Sequence, residues 1–156
     1  MRKLCSDIGE VLGCGAHMRE LRRTRAGPFT EDETLVDMHQ LSTAQSEFEA
    51  GDPNPLMKII QPMELALGAL PKVVIRDSAV DAVCHGASLA LPGVVELDSA
   101  IERNNLVAIF TLKGEAVGLG RALLTSREML DQESGVAVKV ERVIMERGTY
   151  PAMWKH

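Results

Sequence analysis

Apolar positions in the first twelve residues recur on helical spacing. Leu4, Ile8, Val11 and Leu12 stand at i, i+4, i+7 and i+8, so residues 2–12 predict an amphipathic helix. Gly13 and Gly15 follow it, where glycine commonly ends helices in the left-handed conformation. Residues 16–25 then predict an extended segment. Met18, Glu20, Arg22 and Thr24 alternate there with Arg19, Leu21, Arg23 and Arg25, and Gly27-Pro28 closes the run.

Residues 30–70 predict a connector with short helices. One covers 43–48 after Ser42 as a cap, and a second lies around Met63 to Leu67 before Gly68. Gly51-Asp52-Pro53-Asn54-Pro55 between them predicts a loop, and Pro71 marks a junction.

From 72 onward the pattern changes to short strands: Val73-Val74-Ile75, Val94 to Leu97, and a hairpin of Leu106–Leu112 and Glu115–Leu124 around Lys113-Gly114. Val136 to Met145 completes the set. One helix, capped by Asp77 or Ser78, runs to about Cys84; another, capped by Ser126, carries Met129 and Leu130. Short strands at regular intervals with one or two short helices predict an α+β chain ending in a small, partly closed barrel.

Composition narrows the class. Aromatic residues are few (Phe29, Phe48, Phe110, Tyr150 and Trp154), so the core must be aliphatic. The longest apolar run, Leu106–Leu112, has strand length and falls far short of a membrane helix. The N-terminus lacks the long apolar stretch of a signal peptide. Three cysteines, Cys5, Cys14 and Cys84, fit reduced thiols in a cytoplasmic protein better than a disulfide framework.

Total charge is −5, but its distribution matters more. Residues 1–25 carry +3, residues 26–71 carry −7, residues 72–138 carry −3 and residues 139–156 carry +2. Both ends are basic around an acidic middle, and a local basic face is what attracts phosphate. Arg19, Arg22, Arg23 and Arg25 form either a solvated face or such a phosphate-binding face, since guanidinium suits phosphate bidentately. His85, before Gly86, is either a capping residue or an RNA contact. Tyr150 and Trp154, near Lys155, either stack on bases or close the end of the barrel. Cys5, Cys14 and His17 lack the paired knuckle of a zinc site, so no metal is expected. Gly118-Leu119-Gly120 lacks the third glycine of a dinucleotide fingerprint, and close packing in a barrel explains it better.

Specific motifs go further. Met1-Arg2-Lys3-Leu4, Asp7-Ile8-Gly9, Gly13-Cys14-Gly15-Ala16-His17, Leu21-Arg22-Arg23 and Ala26-Gly27-Pro28-Phe29 resemble the last motif of the catalytic domain in TruB/dyskerin pseudouridine synthases. Arg76-Asp77-Ser78-Ala79-Val80, His85-Gly86-Ala87, Leu91-Pro92-Gly93-Val94, Lys113-Gly114-Glu115-Ala116 and Arg142 to Pro151 resemble the PUA domain that follows it in the archaeal and eukaryotic, guide-RNA branch. The resemblance implies residues 1–29 as a catalytic-domain remnant, 30–70 as a connector, and 71–156 as a PUA β pseudo-barrel.

The resemblance also implies roles. Arg2 falls where the family's arginine pairs with the catalytic aspartate, and Leu21 where a leucine packs near the target base. The family's Gly-x-Leu-Asp motif, which carries that aspartate, is absent from these residues. The chain alone is therefore expected to be inactive, because the reaction needs its nucleophile. Arg22, Arg23, Arg25, His85, Gly86, Lys139, Arg142, Arg147, Tyr150 and Lys155 are the implied RNA contacts. Implied partners are H/ACA guide RNA with its companion proteins, or a tRNA, and an N-terminal catalytic domain. No cofactor and no membrane are implied, and the compartment is the cytoplasm, or the nucleolus in a eukaryote. The competing readings are a stand-alone PUA RNA-binding module and a protein-interaction fold without RNA.

Overall fold

The computed structural model describes residues 1–152. Helix α1 spans Arg2–Val11. Its apolar face stays exposed: Leu4 is 52 % and Val11 87 % accessible. The buried residue of this helix is Gly9. Gly13 and Gly15 take positive φ and turn the chain back, so that Gly15 N–H donates to Gly9 O at 3.0 Å. A side chain at position 9 would place its Cβ 2.7 Å from that of Ala16. The Gly9…Gly13-Cys14-Gly15-Ala16 spacing thus has a steric cause: the returning chain crosses the helix at a glycine.

The extended segment reaches a two-residue hairpin, β1 (Arg25–Ala26) and β2 (Phe29–Thr30), turning at Gly27. Helix α2 spans Met38–Glu49, five residues longer at its start than the periodicity predicts. Its cap is Asp37, not Ser42. The Asp37 carboxylate accepts from Gln40 N–H, and the Gln40 side chain accepts from Asp37 N–H, each at 2.8 Å. Helix α3 (Asn54–Ile59) replaces part of the predicted loop, because proline near a first helical turn forfeits only an N–H with no intrahelical partner. Helix α4 (Met63–Leu67) lies where the sequence places it.

Strand β3 (Lys72–Ile75) opens the barrel, followed by α5 (Asp77–Cys84), β4 (Leu89–Ala90), a 3-10 turn at Leu91–Gly93 and β5 (Val94–Leu97). Then come β6 (Leu106–Thr111), β7 (Ala116–Ala122), α6 (Ser126–Asp131) and β8 (Val136–Val143). Thr125, not Ser126, caps α6 through a capping box with Glu128.

The six strands form one sheet in the order β4-β8-β7-β6-β3-β5, with β3 and β6 parallel and the other pairs antiparallel. The edge strands β4 and β5 are separated in sequence only by the 3-10 turn. Their ends therefore lie within about 14 Å, which forces the sheet to curl toward closure. Val73, Ile75, Val107, Ile109, Val117 and Val138 line the interior, with Val80 and Val83 of α5 packed among them. The alternate residues of β6 and β7, Ala108, Phe110 and Ala116, are buried too. They form a second cluster with Leu67 of α4, and Leu70, Leu119 and Ile144 pack against it. The helix before the predicted junction at 71 therefore covers an outer face of the barrel.

Candidate nucleic-acid interface

Strands β7 and β8 carry a row of exposed cations. In their register Arg121 opposes Lys139, and Leu119 opposes Arg142. A register shift between Leu119 and Gly120 leaves Glu141 as the extra residue of β8, and Lys139, Glu141 and Arg142 are all exposed. Arg121 Nε donates to Glu141 Oε1 at 3.2 Å, and its Nη1 to Asn104 O at 3.0 Å. The single carboxylate in the row is therefore engaged by Arg121, while Lys139 and Arg142 project beside it. Sequence reasoning missed Arg121; the signal lay in its pairing with Lys139, which only the register reveals.

The close approach of the two strands depends on Gly118 and Gly120. A Cβ at Gly118 would stand 2.7 Å from Arg142 O, and one at Gly120 2.5 Å from Val138 Cγ1. These glycines serve strand packing rather than a nucleotide.

His85 and Gly86 follow α5, whose Val80 and Val83 face the barrel interior. Asp81 O stands 2.8 Å from His85 Nδ1, and Asp81 Oδ1 lies 3.5 Å from the same nitrogen. Nothing lies within 4 Å of a Cβ built on Gly86, so the turn is open on that side. Cys84, just before it, is buried, and burial pushes its thiol up from the ordinary value.

The expected contacts fall in separate places. Arg22, Arg23 and Arg25 lie in the N-terminal segment, His85 and Gly86 at the end of α5, and Lys139 and Arg142 on β8. Arg147 is exposed in a turn where Thr149 Oγ1 donates to Glu146 O at 2.8 Å. Lys155 and Trp154 lie outside the described residues.

Two of the expected contacts are engaged within the fold itself. Tyr150 is 7 % exposed and belongs to the main core cluster, so its ring is not an open stacking platform. Its hydroxyl donates to Glu115 Oε2 at 2.5 Å, and Lys113 Nζ lies 5.3 Å from its ring centroid. The Tyr150 bond, then that of Thr111, holds the Glu115 carboxyl below the usual range. Arg22 is also engaged: its guanidinium forms a two-point ion pair with Glu31, which raises its already high pKa. The acidic connector thus folds back to neutralise part of the basic segment. Arg25 Nε donates to Gly27 O at 3.0 Å, inside the β1–β2 hairpin.

Arg2 and Leu21 are both exposed. Large apolar side chains are also exposed in the first 60 positions, among them Leu4, Ile8, Phe29, Leu35, Phe48, Met57 and Ile60. Phe48, Leu56, Met57, Ile60 and Pro62 line an open groove beside α2 and α3. No group of three or more His, Cys, Asp or Glu among the described residues could hold a metal ion.

Residues 2–68 match the tRNA pseudouridylate synthase B C-terminal domain, and residues 71–144 match the PUA domain. A curated relative, the probable tRNA pseudouridine synthase B of Methanosarcina acetivorans, is 54 % identical over 155 residues. A chain solved in an H/ACA RNP bound to a substrate RNA containing 2'-deoxyuridine is 55 % identical with a TM-score of 0.90. The chain belongs to the TruB/dyskerin family of pseudouridine synthases. Its relatedness extends to a chain of the archaeal box H/ACA sRNP Nop10-Cbf5 complex, 51 % identical with a TM-score of 0.88. Each comparison covers 98–99 % of this chain. The chain spans about half the length of these relatives: 46 % of the Methanosarcina protein, and 49 % and 50 % of the two solved chains. The barrel is its PUA domain and the preceding helices its TruB-type C-terminal segment. No helix among the described residues is long and apolar enough to cross a membrane.

Proposed function

We propose that these residues bind and position RNA for a uridine-to-pseudouridine isomerase. The observation that carries the reading is the match, over 98 % of this chain, to a protein solved in an H/ACA RNP with substrate RNA. The cationic row agrees with it: Arg121, Lys139 and Arg142 contact phosphates, with Arg147 adding a cation from the turn after β8, and the open His85-Gly86 turn lies near bases. H/ACA guide RNA is the favoured ligand, with the companion proteins of that particle as further partners. A tRNA bound without a guide is the second reading, favoured by the name of the curated relatives. Cysteine usage supports a reducing compartment, the cytoplasm.

The exposed apolar surface of residues 1–60 supports a second part of the proposal. This surface packs against the remaining half of the enzyme, as large exposed apolar patches mark interfaces. That half supplies the aspartate, beside which Arg2 and Leu21 take supporting roles. Domain limits at 29 and 70 belong to the same proposal, with α4 held to the barrel.

The test is affinity of the full chain for an H/ACA guide RNA, a tRNA and an unrelated duplex across a salt series. Removing one phosphate-binding cation should lower the salt slope by about one unit. Lys139→Ala with Arg142→Ala should weaken binding and lower the slope by about two units. Equal affinity for all three RNAs, or a slope the double variant leaves unchanged, would overturn this assignment.

A further inference from the structure

The turn joining β6 and β7 ties down chain from both ends of the barrel. Glu115 accepts the Tyr150 hydroxyl from the segment after β8. The next residue, Ala116, is 5 % exposed, and its backbone N–H donates to Glu64 Oε1 at 3.1 Å. Glu64 belongs to α4, 52 residues earlier. A buried N–H needs a partner, and here a side chain from outside the barrel supplies it.

Around this bond the packing is apolar. Leu67 is buried with Ala108, Phe110 and Ala116, and Leu70 packs against them. Apolar burial is non-directional, so these side chains alone would hold α4 on the sheet without fixing its rotation. The hydrogen bond to a fixed backbone group is directional and removes that freedom. Beyond α4 the path to the barrel is short and restrained. Leu70 N–H donates to Leu67 O at 3.0 Å, and Ala108 N–H to Pro71 O at 2.9 Å.

We propose that Glu64 is a positioning residue that sets the orientation of the PUA barrel relative to α2 and α3. The same bond fixes where the cationic row of β7 and β8 faces relative to residues 1–30, a consequence that rests on the RNA-binding reading. The motif comparison that divides the chain near 70 gives no hint of it, because the bond crosses that division.

The test uses the full chain, isotopically labelled, as parent and as Glu64→Ala, Glu64→Gln and Glu64→Asp. In the parent, residual dipolar couplings of α2, α3 and the barrel strands should fit one alignment tensor. In Glu64→Ala the helices should require a second tensor, and the Ala116 amide should exchange roughly tenfold faster. Glu64→Gln keeps an oxygen at the same reach and should restore both. Glu64→Asp keeps the charge but not the reach and should behave as the alanine variant does. Slow exchange at Val107 and Ile109 reports that the barrel is folded in each protein. If Glu64→Ala fails to fold, the contrast between Gln and Asp decides. A single tensor with parental Ala116 exchange in the alanine or aspartate variant overturns the proposal. So do two tensors in the parent, or a glutamine variant indistinguishable from the aspartate one. Guide-RNA affinity, measured alongside, separates the two readings: a parent that ignores RNA ends the functional assignment and leaves the tensor result standing.

Discussion

The hydroxyl of Tyr150 donates to Glu115 Oε2 at 2.5 Å, joining residues 35 positions apart. The bond anchors the chain where it leaves the last strand to the turn between β6 and β7. Tyr150 is thereby a structural residue of the barrel.

Replacing Tyr150 by alanine should therefore destabilise the fold by about 3–5 kcal/mol, the usual cost of deleting a buried aromatic side chain. Tyr150→Phe keeps the packing and loses only the hydroxyl bond, so it should unfold at a lower temperature than the parent but bind RNA equally well below that temperature. Thermal unfolding and RNA affinity of both variants check this. A phenylalanine variant with parental stability and weakened RNA binding would return Tyr150 to the RNA face.

Gly120→Ala should destabilise the barrel by about 1–3 kcal/mol or more through overpacking. The added methyl would stand 2.5 Å from Val138 Cγ1 and 2.7 Å from Lys139 O, and the latter is backbone that cannot swing aside. Denaturant unfolding measures the loss. A stability within experimental error of the parent would show that β7 and β8 can separate without cost.

Asp37→Ala should cost about 1 kcal/mol by removing the cap of α2, and it should affect the first helical segment more than the barrel. The Asp37 carboxylate accepts from Gln40 N–H, and no other side chain is seen to cap that end. Amide exchange should accelerate in the first turn of α2 while Val107 and Ile109 remain slow. Unchanged exchange at 38–41 would remove the capping role.

Glu128 gives a pH signature. The Arg103 guanidinium, first, and the Thr125 backbone N–H, second, hold its carboxyl at about 2, against an ordinary 4.5. The folded state thus prefers the ionised form. That contribution is fully present above pH 4.5 and is lost as pH falls toward 2. At pH 6 the Glu128→Gln variant should melt below the parent, and the gap should close progressively on acidification. Solvent screening keeps the effect small. A gap independent of pH would assign the difference to the cap rather than to the charge.

Local signals predicted much of the fold. The hairpin around Lys113-Gly114, the helix ending before Gly86 and the short helix before Gly68 all carry their own punctuation, and the structure has each in place. Helix α3 was hidden because Pro53-Asn54-Pro55 reads as a turn, although the same residues can begin a helix. Strand β4 was hidden because two residues are too short to show a period; its existence depends on pairing with β8.

The candidate site was legible in type but not in membership. Lys139 and Arg142 can be picked out by charge, whereas Arg121 joins them only through strand register. Arg22 looks like part of an open basic cluster until Glu31 folds across to it. Tyr150 admits both stacking and barrel closure by sequence, and its burial in the core with its bond to Glu115 favours the second.

The sequence by itself determined what short-range physics encodes: the helical face of Leu4, Ile8 and Val11, the strand alternation, the glycine turns and the motifs that mark the family. Tertiary structure alone decided which polar groups meet across 9, 35 or 52 residues, as in Arg22–Glu31, Glu115–Tyr150 and Glu64–Ala116. Periodicity records which face of an element is apolar. It does not record which element will cover that face, or which distant donor a carboxylate will find, because those pairings exist only once the sheet has curled and its register is set.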